Sequence, residues 1–208
     1  MIRLKAALTL VVVFLAWTCA NDSRPRAAGA ENPAPGVFRD IPRELWDAKG
    51  PLPHLSNPRI VVKKAERKLF LYSENKLIRT YRIGLGLSPI GDKVREGDRR
   101  TPEGDFYIFT KNDKSAFYLS LGVSYPNAAH AERGLRDKLI TKAQYDTIIE
   151  ALKERKTPPQ NTKLGGEIYI HGNGAGSDWT WGCVALEDSD IRELFNSVEV
   201  GTPVTIKP

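Results

Sequence analysis

Residues 59–83 read RIVVKKAERKLFLYSENKLIRTYRI. Three β-prone runs stand in this stretch: Ile60-Val61-Val62, Lys68 to Tyr72, and Lys76 to Ile83. Polar turns at Ala65-Glu66-Arg67 and Ser73-Glu74-Asn75 separate them, and that spacing predicts an antiparallel meander. Toward the C-terminus, Asp105 to Thr110, Ala116 to Leu121, Glu167 to Ile170 and Thr202 to Lys207 predict further strands. A helix is expected from Thr141 to about Arg155. Thr141 and Gln144 stand at capping-box spacing, Ile148, Ile149 and Leu152 form the buried stripe, and Pro158-Pro159 end it. A second helix is expected from Asp190 to Val198, with Ile191, Leu194 and Phe195 on one face. No internal repeat is visible. The expected class is mainly β with about two helices, in one domain spanning residues 59–208.

Upstream of the meander the composition changes. Seven of the fourteen prolines fall between Pro25 and Pro58. Proline fixes φ and lacks the backbone donor, so residues 21–58 are expected to be a tether, with local packing through Val37, Phe38, Leu45 and Trp46. Residues 1–20 begin with Arg3 and Lys5 and continue as an apolar run from Ala6 to Ala20, too short for a spanning helix of roughly 20 residues. They suit an export signal. Thr18-Cys19-Ala20 offers a small-residue cleavage site, and Cys19 is also a candidate lipid-accepting cysteine. The mature protein is expected to work outside the cytoplasm. Net charge is +6, or +4 once Arg3 and Lys5 are removed. That mild excess suits an anionic polymer such as a cell wall, and a solvated basic surface explains it equally well. Without an arginine-rich run or a helix-turn-helix pattern, nucleic acid is not an expected partner.

The chain has two cysteines, Cys19 and Cys183. Loss or lipidation of Cys19 would leave Cys183 without an intramolecular partner in an oxidising compartment, where an unpaired thiol is either buried or kept for its reactivity. Cys183 closes a segment that carries chemistry. Ile168 to Ile170 delivers His171 to the end of a strand. Gly172, Gly174 and Gly176 follow in a loop, and Gly182-Cys183 re-enters an apolar run. Such a loop can double back so that imidazole and thiol meet. A histidine neighbour is expected to populate the thiolate of a cysteine nucleophile at neutral pH. Gly182 would let backbone N–H groups face a developing oxyanion. Each part also has a structural reading: a strand-end histidine, a cysteine acting as a small buried hydrophobe, and turn glycines. No ligand pair suits zinc, no metal or cofactor is expected, and no G-x-S-x-G elbow occurs.

This run resembles the signature of the L,D-transpeptidase catalytic domain family (YkuD-like) through His171-Gly172 and Thr180-Trp181-Gly182-Cys183. Thr101-Pro102-Glu103-Gly104-Asp105-Phe106 resembles the family's Thr-Pro-x-Gly-x-Phe element. Asp178-Trp179-Thr180 and Tyr125-Pro126-Asn127 resemble the branch of periplasmic murein L,D-transpeptidases. The resemblance implies a β-sandwich or barrel fold and a peptidoglycan L,D-transpeptidase acting on stem tetrapeptides. Cys183 would be the nucleophile and His171 the base. N–H groups of Trp181, Gly182 and Cys183 would hold the oxyanion, and the Gly172 carbonyl would orient the imidazole. Thr180, Asp178 and Tyr125 are candidates on the substrate side, and Lys111, Arg133 or Arg136 for pairing with substrate carboxylates. The acceptor would be an amine on a second stem or on an envelope protein. Water in that role would make a carboxypeptidase or amidase that hydrolyses peptidoglycan or protein–peptidoglycan links, and a non-catalytic wall-binding module is a third reading. Two departures stand out: Trp181 occupies the place of a second histidine, and Ala185 replaces a frequent polar residue.

Overall fold

The computed structural model describes residues 52–208. The expected export signal, Cys19 and residues 21–51 of the expected tether lie outside the described residues. Leu52 and Leu55, just before the first strand, pack against the core. Among the described residues, no helix is long and apolar enough to cross a membrane.

The meander comprises β1 (Pro58–Lys63), β2 (Lys68–Ser73) and β3 (Lys76–Arg82), paired antiparallel in sequence order. Ile60, Val61 and Val62 are all buried. Such an unbroken apolar run places β1 inside a sheet rather than at its edge. Its second neighbour is the C-terminal strand β8 (Pro203–Lys207), which runs parallel to it.

β8 also pairs antiparallel with β4 (Gly104–Ser115), so the end of the chain joins the two halves of the sheet. The far half continues through β5 (Tyr118–Val123), β6 (Tyr169–His171) and β7 (Val184–Ala185). The full order is β3-β2-β1-β8-β4-β5-β6-β7. Register shifts between β4 and β5 fall after Ile108 and after Asn112, and such bulges bend a strand and curl its sheet. β4 thus serves one half with Gly104–Tyr107 and the other with Ile108–Ser115.

Three helices occur among the described residues, not about two: α1 (Ala128–Arg136), α2 (Lys142–Lys153) and α3 (Asp188–Ser197). α1 is short and contains Gly134, which weakens its periodic signal. Its start is fixed by Asn127, whose side chain accepts from His130 N–H at 3.1 Å. α2 carries the expected capping box, with Gln144 N–H donating to Thr141 Oγ1 at 3.2 Å and Thr141 N–H to Gln144 Oε1 at 2.9 Å. It ends at Lys153 with Arg155 in the left-handed region, before Pro158-Pro159 can act as terminators. α3 buries Ile191 and Leu194. The second hairpin strand starts at Tyr118 rather than Ala116, because Ala116 and Phe117 form the turn.

Candidate active site

Adjacent parallel strands bring the histidine and the cysteine together. β6 and β7 pair Ile170 with Val184 and His171 with Ala185, so Cys183 lies opposite Tyr169. Tyr169 and His171 are two apart on one strand and therefore face the same side. Both line a cavity of about 280 Å³ with Cys183, Phe117 and Lys114. Cys183 also reaches a second cavity of about 200 Å³, beside Lys93, Glu96 and Trp181. A larger cavity of about 660 Å³, between residues 52–59 and the end of α3, contains neither Cys183 nor His171.

The imidazole of His171 is buried, and its Nδ1 bonds the Gly172 carbonyl at 2.7 Å. A neutral ring that donates from Nδ1 presents Nε2 as an acceptor. Gly172 has to be glycine, since a Cβ there would meet Asp188 Oδ1 at 2.5 Å and Phe117 O at 2.9 Å. Burial lowers the pKa of His171, against the bond to Gly172. Burial pushes the Cys183 thiol up to about 11, against the Tyr169 N–H and the Lys93 charge. Tyr169 N–H approaches Cys183 Sγ at 3.4 Å. Burial thus disfavours the charged form of both groups. This direction runs against the thiolate expected from a histidine neighbour.

The turn before Cys183 is fixed by hydroxyls. Thr180 Oγ1 donates to Cys183 O at 2.8 Å and accepts from Gly182 N–H at 3.1 Å. The Gly182 N–H is thus occupied, which corrects its expected place among the oxyanion donors and leaves Trp181 and Cys183 N–H as candidates. Gly182 itself has φ +132, and a Cβ would stand 2.8 Å from Arg100 O. Thr101, fully buried, accepts from Gly86 N–H at 3.0 Å and donates to Cys183 O at 3.4 Å. The Thr-Pro-x-Gly element thereby supports the cysteine turn directly. Buried Lys64 braces the same element, donating to Gly91 O at 2.6 Å, Thr101 O at 3.0 Å and Glu103 Oε1 at 2.7 Å. Nothing in the sequence pattern singled out Lys64.

Three expected substrate-side residues are placed elsewhere. Tyr125 is fully buried and donates to Leu164 O at 3.0 Å, so it belongs to the core. Asp178 pairs with Arg67 at 2.7 Å and accepts from Leu85 N–H at 2.9 Å. Thr180 is buried in the turn just described. Trp181 is 72% exposed beside the second cavity, with the Arg99 guanidinium 5.2 Å from its ring.

The basic candidates are engaged within the protein. Lys111 donates to Val198 O, Arg133 pairs with Asp92, and Arg136 with Asp137. The cation beside Cys183 and His171 is Lys114, on the hairpin arm, which was not anticipated. His130 lies apart from both cavities, bonded to Asn127 and Asp92.

The fold and the sequence together define the class. The chain belongs to the family described as the L,D-transpeptidase catalytic domain (YkuD), whose profile matches residues 57–206. Among particular relatives, it is 29% identical over 181 residues to the Escherichia coli (strain K12) protein named Probable L,D-transpeptidase YcfS. That match takes in 83% of this chain and 52% of YcfS, so the chain spans about half the length of this relative. Among solved structures it is similar to the helical cell shape determining protein Pgp2 of Campylobacter jejuni, at 22% identity and TM-score 0.48, covering 81% of this chain and 58% of that one. Bd1075 of Bdellovibrio bacteriovorus is similar at 25% identity and TM-score 0.45, covering 73% and 48%.

Proposed function

We propose that the chain is an exported, cysteine-dependent peptidoglycan L,D-transpeptidase working in the periplasm or cell envelope, with Cys19 as a candidate lipid anchor. The observation that carries this reading is that Cys183 and His171 line one cavity, with the imidazole tied through Nδ1 to Gly172 O. Neutral His171 takes the thiol proton at Nε2 as Cys183 Sγ attacks the carbonyl of residue three in a stem tetrapeptide. The C–S bond forms, and N–H groups of Trp181 and Cys183 face the oxyanion. Collapse breaks the bond to D-alanine, and His171 returns the proton to that departing amine. An acceptor amine on a second stem or an envelope protein then attacks the thioester; the new amide bond forms, the C–S bond breaks, and the amine proton passes through His171 to the Cys183 thiolate.

Because leaving and entering amines both exchange a proton with His171, both lie on its side of the thiol. The cavity holding Lys114 and His171 is therefore assigned to them. The cavity beside Trp181 is assigned to the acyl portion of the stem.

The test is product analysis by mass spectrometry after incubation with disaccharide-tetrapeptide, with and without an added amine. Cross-linked dimer or amine adduct, with D-alanine released, is expected. Tripeptide alone would make water the acceptor and the protein a carboxypeptidase.

A further inference from the structure

Phe117 stands at the tip of the β4–β5 hairpin and is 42% exposed. A ring that open to water adds little to a hydrophobic core. It nevertheless lies on the imidazole of His171, with ring centroids 4.6 Å apart and planes at 30°. Trp179 meets the same imidazole edge-on at 5.5 Å and 70°, and touches Phe117 at 5.8 Å. Trp179 is itself held by donation from Nε1 to Gly174 O at 3.0 Å.

The Phe117 backbone is tied to the same place. Its carbonyl accepts from Gly172 N–H at 3.1 Å, a donor shared with Leu119 O at 3.2 Å, and its N–H donates to Ser115 Oγ at 3.1 Å. One residue thus covers the imidazole with its ring and fixes the neighbour whose carbonyl holds Nδ1. That carbonyl bond alone leaves the ring plane free to rock about it.

We propose that Phe117 is a positioning residue for His171, whose ring holds the imidazole plane and stabilises the imidazolium formed when Cys183 gives up its proton. The proposal rests on the assignment of Cys183 and His171 above. The aromatic face offers its negative quadrupole to a cation that water scarcely reaches, favouring the charged form by about two- to tenfold. The ionisable groups around the imidazole are Cys183, Lys114, Glu167 and Tyr169 in the cavity. Asp188 lies on the α3 side, accepting from Asn173 N–H. A change at Phe117 alters none of these, so its effect on the pH profile reports the ring itself.

The experiment measures acylation of Cys183 in the full chain by disaccharide-tetrapeptide, by quenched mass spectrometry across pH 5–9. It compares the wild type with Phe117→Leu, Phe117→Met, Phe117→Tyr and His171→Ala. Leucine and methionine keep apolar cover without a π face, and the exposed tip tolerates both. They are expected to lower the maximal rate about tenfold with KM nearly unchanged, and to move the acid limb to lower pH. Tyrosine should restore both rate and limb. Wild-type rates and limb in the leucine and methionine variants would overturn the proposal, as would equal loss in the tyrosine variant, while a severe His171→Ala defect would leave the functional reading intact. An unaffected His171→Ala enzyme would overturn both.

Discussion

The two walls of the site are built from different materials. The cysteine wall is held by hydroxyls and buried charge: Thr180 and Thr101 on the Cys183 carbonyl, Lys64 behind Thr101, and the Arg67–Asp178 pair at the start of the turn. The histidine wall is held by rings and one carbonyl: Phe117, Trp179 and Gly172 O. Hydrogen-bonded networks around buried charge are costly to break because each orphaned group keeps its desolvation penalty. Stacked rings at a surface lose less when one is changed, yet they set the orientation and charge preference of what they touch. Damage to the cysteine wall should therefore appear first as lost stability. Damage to the histidine wall should appear as lost rate in a protein that still folds.

The largest expected effect is on the histidine wall. His171→Ala should lower the acylation rate by about 10²–10⁴-fold in a protein that still folds, measured by mass spectrometry and calorimetry. The wild-type rate should also fall with acidification. Burial lowers the pKa of His171 from 6.5, so the neutral imidazole of the proposed base persists below that value and is lost once the pH passes under the lowered midpoint.

On the other wall, Lys64→Met leaves Glu103 and two carbonyls without their shared donor. The chain should lose about 3–5 kcal/mol, read from urea unfolding. A rate defect at unchanged stability would break the contrast between the walls.

Thr180→Val keeps shape but removes the acceptor of Gly182 N–H and a donor to Cys183 O. A loss of about 1–3 kcal/mol is expected, with a reduced rate because the turn carries the proposed nucleophile. Tyr125→Phe is the smallest. It should cost about 1 kcal/mol from the bond to Leu164 O and leave KM for stem peptide unchanged. A raised KM would return Tyr125 to the substrate side.

How much of this was legible in the sequence follows the range of the interactions. The meander was readable because Ile60 to Val62 and Leu69 to Leu71 are local apolar runs with polar turns between them. The α2 capping box lies within four residues and was equally readable. α1 escaped notice because Gly134 and a thin apolar stripe hide its period, and its N-cap at Asn127 follows a proline. The link from Thr101 to Cys183 crosses 82 residues, and the Lys64 bonds cross 27 to 39, so no spacing rule could reveal them. The His171 and Cys183 motif did show in the sequence, since a glycine loop joins neighbouring strands. Its electrostatics did not, because the raised thiol pKa comes from burial by distant segments. Tyr125 was misplaced for a related reason: a motif position reports resemblance, whereas exposure depends on what packs over it.

The proposed nucleophile is Cys183. Its most direct test is intact-protein and peptide mass spectrometry after incubation with disaccharide-tetrapeptide, under rapid acid quench, for the wild type and Cys183→Ala. One tripeptide-disaccharide acyl group on the peptide containing Cys183 in the wild type, and none in the variant, is the predicted result. Acylation of Cys183→Ala to the wild-type extent would contradict it.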